Sequence, residues 1–209
     1  MYSIIRPLLF KLDPELSHHL AMKTFKLLHV FGLLYFVKEP KTSPRVVMGL
    51  KFKNLVGLAA GLDKNAEYID CLSKLGFGFI EIGTVTPNPQ PGNEKPRSFR
   101  LTEEEGIINR FGFNNVGIHQ VINNIKKSSY KGILGINIGK NFNTKIENAV
   151  QDYLICFRES YAYASYITIN ISSPNTKGLR DLQQGKYLEN LLNKIKIEQS
   201  KLKKQHGKY

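Results

Sequence analysis

Ile133-Leu-Gly-Ile-Asn-Ile138, followed at once by Gly139-Lys140-Asn141, is an almost unbroken apolar run that ends in small and polar residues. A strand wetted on one face alternates apolar with polar; a strand without alternation is buried on both faces, as in a parallel sheet covered by helices. Three further runs read the same way, at 55–60, 79–85 and 166–171. Helical stretches lie between and after them, near 66–75, 117–127, 148–163 and 187–204. Strands alternating with helices predict parallel βα units and an α/β fold. Segment 87–110 is too long and polar for an ordinary βα loop and is expected to hold an excursion of its own.

Working outward, residues 1–40 follow a different pattern. Asp13-Pro14-Glu15 is a helix start, with a capping carboxylate, proline at the first helical position and acid in the first turn. Leu16, Leu20, Leu27 and Phe31 then form one apolar stripe, and Ala21, Phe25 and Leu28 a second beside it, while Lys23 and Lys26 keep part of the surface charged. Two readings are open: a helix packed wholly on the main domain, or a short helical hairpin with one apolar face on protein and another on lipid. Pro40-Lys-Thr-Ser-Pro44 reads as a connection, dividing the chain into 1–40 and 41–209.

Composition narrows the class. Of 209 residues, 42% are hydrophobic and 22% charged, enough for a real core. The excess of 30 Lys and Arg over 17 Asp and Glu gives a formal charge of +13, which implies an anionic partner without choosing among nucleic acid, acidic lipid and a small anion. The basic residues are spread along the chain instead of clustering with stacking aromatics, which speaks against a nucleic-acid module. Cys71 and Cys156 are far apart, with no CxxC, so neither a disulfide framework nor a zinc site is expected, and no metal. No apolar run approaches the roughly 18 residues of a spanning helix. A cytoplasmic protein in peripheral contact with the cell membrane is the expected setting. Four βα units followed by a stop are half of the eight in a closed barrel, so the chain reads as the first half of a (β/α)8 barrel and as a fragment ending at Tyr209.

In such folds ligands meet the C-terminal ends of the strands. Four stretches fall there: Gly57 to Lys64, Glu81 to Pro87, Gly135 to Asn141 and Asn170 to Thr176. A fifth polar run, Asn109 to Asn115, closes the excursion. Each has an ordinary structural use, since glycines make tight turns, Ser and Asn cap helices, and Lys64 could pair with Asp63. The Gly-to-Lys spacing is wrong for a P-loop, and no GxGxxG opens a helix. Taken together, the neutral amides Asn109, Asn137, Asn170 and Asn175 with one lysine suit a planar, amide-rich anion. The absence of a carboxylate pair, a metal cluster or a Ser-His-Asp order argues against hydrolysis.

GLAAGLDK, EIGTVTP-PQPGN-KPR, NR-GFNN, GINIGKN and NISSPNT closely resemble, in order and spacing, the class 2 dihydroorotate dehydrogenases. The resemblance covers the whole chain but only somewhat over half of a family member. It implies oxidation of dihydroorotate to orotate in de novo pyrimidine (UMP) synthesis, with electrons passed through FMN to a membrane quinone, by a monomer that binds no nucleic acid. It places Ala60, Gly61, Leu62, Asp63, Lys64, Thr84, Asn137 and Asn170 at the flavin. Lys64, Asn109, Arg110, Phe111, Gly112, Phe113, Asn170 and Asn175 meet the substrate. Ser173 matches the catalytic base, where the soluble class carries cysteine, and Thr176 is the candidate proton relay. His18 and Arg100 match residues at the quinone head, and the N-terminal helices match a quinone tunnel. A missing second half implies that this polypeptide alone binds FMN poorly. Three rivals remain: a family member using fumarate or a nicotinamide cofactor, a basic binding module, and a half-barrel scaffold.

Overall fold

The computed structural model describes residues 2–38, 40 and 42–207; Lys41 of the expected connection and Tyr209 at the expected fragment end lie outside them. Helix α1 (Tyr2–Phe10) and helix α2 (Pro14–Val30) open the chain. Asp13 caps α2 as its sequence predicts, its carboxylate accepting from the Glu15 and Leu16 amides at 2.9 and 3.0 Å. Met22 is buried, and Phe25 and Leu28 pack beside it on the main core. The stripe of Leu16, Leu20, Leu27 and Phe31 points the other way and is exposed.

A small antiparallel hairpin follows, β1 (Arg45–Val47) with β2 (Leu50–Phe52). It had no counterpart in the pattern of apolar runs. The parallel sheet has the order β3 (Phe79–Val85), β6 (Ile133–Ile138), β7 (Tyr166–Ile169). Pairing runs Phe79↔Ile133 through Ile82↔Ile136, then Gly135↔Tyr166 through Ile138↔Ile169. Segment 55–60 lies along the free side of β3, joined by the parallel bridge Leu58↔Ile80 and by bonds from Leu58 N–H to Phe79 O and Glu81 N–H to Leu58 O. It meets the expected position but makes only a bridge, with Leu55 and Val56 exposed.

Helices α3 (Ile69–Ser73), α4 (Ile118–Lys127), α5 (Ala149–Tyr161) and α6 (Gly185–His206) supply the outer layer. Ile80, Ile82, Ile136 and Ile138 are buried from β3 and β6, with Ile118, Val121, Tyr153, Cys156 and Leu191 from the helices. Burial on both faces accounts for the unbroken apolar runs. The expected helix 66–75 is shorter because Ala66 sits at φ 59 and the Asp63 carboxylate takes the Glu67 and Tyr68 amides at 3.0 and 2.9 Å. The excursion at 87–110 holds a second hairpin, β4 (Ser98–Leu101) with β5 (Gly106–Asn109), which packs near α2.

Candidate active site

The strand ends and the N-terminal helices enclose one cavity of about 940 Å³. Its wall takes Ala60, Gly61, Leu62, Asp63 and Lys64 from the loop before α3, Thr84 from β3, Asn137 from β6, and Asn170, Ser173 and Asn175 from the loop after β7. The excursion adds Arg100, Asn109, Phe111, Gly112 and Phe113, and α2 adds His18. Two of the expected residues stand outside the lining. Arg110 directs its guanidinium to the Pro96 carbonyl at 2.9 and 3.2 Å. Thr176 is buried behind the loop, and its hydroxyl has no hydrogen-bond partner among the described residues.

Two glycines set the shape of the wall. Gly61 has φ +114, a conformation strained for any residue with a Cβ, and the space around it is open. Gly83 has φ +112, and a Cβ there would lie 2.4 Å from the Asn137 carbonyl oxygen, so β3 and β6 approach this closely only with glycine.

Of the two lysines in the wall, Lys95 pairs with Glu15, while Lys64 is held without a counter-charge. Lys64 donates to Asn114 Oδ1 at 2.8 Å and sits 3.7 Å from the centroid of the Phe111 ring. It does not pair with Asp63, and among the described residues no carboxylate lies within ion-pair distance of it. Burial, with the nearby Arg97 charge, lowers its pKa to about 8. Burial also leads the downward shift of His18, reinforced by His19 and Lys64.

A hydrogen-bond chain crosses the strand ends. Asn170 Nδ2 donates to Thr84 Oγ1 at 2.9 Å, Thr84 Oγ1 donates to Asn137 Oδ1 at 2.6 Å, and Asn137 Nδ2 donates to Glu81 Oε1 at 2.8 Å. In the loop after β7, the Asn175 backbone N–H donates to Ser173 Oγ at 3.2 Å, and Asn175 Nδ2 reaches Asn109 at 3.4 and 3.5 Å.

Arg97 and Arg100 tie this wall to the helices. Arg97 donates to Glu15 at 2.7 Å and to the Pro91 and Asn93 carbonyls at 2.6 and 2.9 Å, while Lys95 pairs with Glu15 at 2.9 Å. Burial would raise the Glu15 pKa, but the hydrogen bonds from Lys95 and Arg97 hold it below the usual range. Arg100 donates to the Leu12 carbonyl at 2.8 Å and more weakly to that of Phe10, closing the end of α1. Sequence reasoning gave Glu15 only a place in the first turn of α2, and no individual role in the site to Glu81, Arg97 or Asn114. Glu81 did carry a signal, an acid inside an otherwise apolar buried strand.

Comparison with known proteins places this geometry. A family model described as "Dihydroorotate dehydrogenase" matches residues 44–204. A curated protein of Nitrosospira multiformis named dihydroorotate dehydrogenase (quinone) is 59% identical over 209 residues, covering 100% of this chain and 60% of that protein. One of the same name from Methylobacillus flagellatus is 58% identical over 210 residues, covering 100% of this chain and 62% of that protein. The chain therefore spans about 60% of the length of the curated relatives it matches. The crystal structure of DHODH from Eimeria tenella in complex with ferulenol superposes with a TM-score of 0.80 at 41% identity, over 91% of this chain and 52% of that one. Its ligand-free form gives 0.76 at 40% identity, over 89% and 53%. The sheet is thus the first half of a (β/α)8 barrel, and the chain belongs to the dihydroorotate dehydrogenase family.

Proposed function

We propose that this chain carries the substrate- and flavin-facing part of a quinone-dependent dihydroorotate dehydrogenase, which oxidises dihydroorotate to orotate for pyrimidine synthesis and passes the electrons through FMN to a membrane quinone. The observation that carries the reading is the convergence of Lys64, Asn109, Asn137, Asn170, Ser173 and Asn175, from loops far apart in sequence, on one cavity. The names of the relatives support the quinone as acceptor.

The residues fit a flavin ring. The backbone at Ala60 and Gly61 offers a wall without side-chain bulk, and Asn137 and Asn170 each keep a second amide N–H beyond the bonds they make. FMN, when bound, supplies the two-electron acceptor for the hydride that leaves C6 of dihydroorotate. Ser173 Oγ takes the proton from C5. Serine is a weak base in water, so it needs a desolvated setting and support for the charge that builds on its oxygen. The Asn175 amide, already donating to Ser173 Oγ, gives that support. The buried Thr176 hydroxyl, without a hydrogen-bond partner among the described residues, supports its reading as the next proton carrier. Lys64 neutralises the substrate carboxylate, and Asn109, Asn170 and Asn175 hold the pyrimidine ring.

The cavity also reaches Leu9, Phe10, His18 and Ala21 of the helices, which supports a quinone path between α1–α2 and the flavin. Burial, with His19 and Lys64 nearby, disfavours the charged form of His18 there. Arg100 is engaged with helix carbonyls and would meet a quinone only with its remaining N–H groups. The outward stripe of α2, continued by Leu33, Tyr35 and Phe36, supports contact with a bilayer surface. No helix among the described residues is long and apolar enough to cross a membrane. Anaerobic mixing of dihydroorotate with the flavin-loaded enzyme, extended to the relatives' full length, tests the proposal. Bleaching of the flavin absorbance, reversed by a long-tailed quinone, is expected; an unchanged spectrum would overturn it.

A further inference from the structure

Glu81 lies on β3 with its carboxylate toward the cavity, in a strand whose neighbours Ile80 and Ile82 are fully buried. Three donors from the next two strands converge on it. Asn137 Nδ2 reaches Oε1 at 2.8 Å, while Tyr166 Oη and Thr168 Oγ1 reach Oε2 at 2.9 and 3.1 Å. Burial and the hydrogen bond to Glu81, with its charge, push the Tyr166 phenol well above its usual range, so this hydroxyl remains a donor.

Directionality is the telling feature. A carboxylate can only accept. Asn137 must therefore turn its nitrogen to Glu81 and its oxygen to Thr84, whose hydroxyl donates at 2.6 Å. Having donated, Thr84 Oγ1 can only accept from Asn170, which turns its nitrogen to Thr84 at 2.9 Å. The Asn170 oxygen then accepts the Ser172 backbone N–H at 3.1 Å. That N–H is an obligatory donor. The chain thus has a fixed donor at one end and a fixed acceptor at the other, and every member between donates toward Glu81. Aligned bonds of this kind polarise and strengthen one another.

We infer that Glu81 is the positioning residue of this site: its carboxylate decides that Asn137 presents an N–H group to the bound ring, and through Asn137 and Thr84 it steadies Asn170, which the Ser172 N–H also orients, and with it the loop that bears Ser173. Each amide keeps one N–H for the ligand, so the wall recognises hydrogen-bond acceptors along one edge of a flat ring. Without the carboxylate, Asn137 can turn over, its bond from Thr84 is lost, and the donor it offers the ring is lost with it. Glu81 touches no reacting atom in this account. The inference rests on the proposed reading of the cavity as a flavin site.

The test is a double-mutant cycle on flavin affinity and on the visible flavin spectrum, in the full-length enzyme. Glu81→Gln keeps the side chain's size but has a single oxygen for three donors and brings a competing N–H. It should weaken FMN binding by about three- to tenfold and move the flavin absorbance bands. Asn137→Ala should weaken binding by itself, and Glu81→Gln added to it should have almost no further effect, because the influence of Glu81 runs through Asn137. Glu81→Leu should give a larger single effect with the same non-additivity. Additive losses of affinity, or a Glu81→Gln enzyme with wild-type affinity and spectrum, would reduce Glu81 to a structural acid and overturn the inference alone. Failure of the wild-type enzyme to bind FMN would overturn the flavin reading and the inference together.

Discussion

Replacing Lys64 by Met removes the charge while keeping an unbranched side chain over the Phe111 ring. In the structure the ammonium has a neutral amide and a ring face for company, and burial lowers its pKa from the ordinary 10.5 to about 8. That depression corresponds to about 3 kcal/mol against the charged form. A substrate carboxylate that restored the ordinary value would recover a similar amount, or about a hundredfold in affinity. Lys64→Met should therefore weaken orotate binding by about two orders of magnitude at neutral pH. The effect on stability has the opposite sign. The folded value lies below the unfolded one, so charged Lys64 destabilises the ligand-free protein fully below about pH 8, and this is relieved as pH rises toward 10.5. Tm of the ligand-free variant should thus hold or rise slightly. The assay is titration of the full-length flavoenzyme with orotate between pH 6.5 and 9.5, read by calorimetry or the flavin spectrum. Wild-type affinity should be flat up to about pH 8 and then fall by about tenfold per pH unit, and the variant should be weak and flat throughout. An unchanged dissociation constant, or identical pH profiles, would refute the carboxylate role.

Glu15→Ala leaves Arg97 and Lys95 without their acid and should cost about 2 kcal/mol in thermal unfolding. The same contact, with its carboxylate pKa depressed, contributes fully above about pH 4.5 and is lost as pH falls through the folded value, so acid denaturation should begin with release of the helices. Gly83→Ala brings a Cβ to 2.4 Å from the Asn137 carbonyl at φ +112 and should destabilise by about 3 kcal/mol or more in denaturant titrations. Deleting residues 1–40 from a full-length enzyme should leave flavin reduction by dihydroorotate intact, provided flavin absorbance is retained. Turnover of long-tailed quinones and binding to anionic vesicles should collapse, with small soluble acceptors affected less.

What was legible in the sequence followed from burial. β3 and β6 lie between helices and the sheet interior, so their apolar runs are unbroken and their limits match. The run at 55–60 was equally apolar, but only β3 is beside it, and Leu55 and Val56 stay exposed. The β1–β2 hairpin escaped notice because its strands have three residues each, with Val46, Val47 and Met48 all exposed. Helix α3 is short because Asp63 takes the amides just before it, a side-chain choice that periodicity cannot register. The candidate site was legible as a set of strand-end motifs, since each strand delivers its polar end to the same rim. Individual orientations were not. Arg110 sits in the right run yet bonds Pro96, and Arg100 closes the end of α1. Glu81 could have been singled out as an ionisable residue in a buried strand, but its three donors come from β6 and β7 and appear only once the strands are paired.

The most direct test of the site as a whole is anaerobic single-turnover reduction of the flavin by dihydroorotate in a full-length enzyme carrying Ser173→Ala. The substitution removes the oxygen proposed to take the C5 proton and leaves Lys64, the asparagines and the Glu81 chain in place. Flavin content and orotate affinity should stay close to wild type while the reduction rate falls by roughly a thousandfold or more. Reduction at a rate near wild type would contradict the account, because proton removal would then belong to another group.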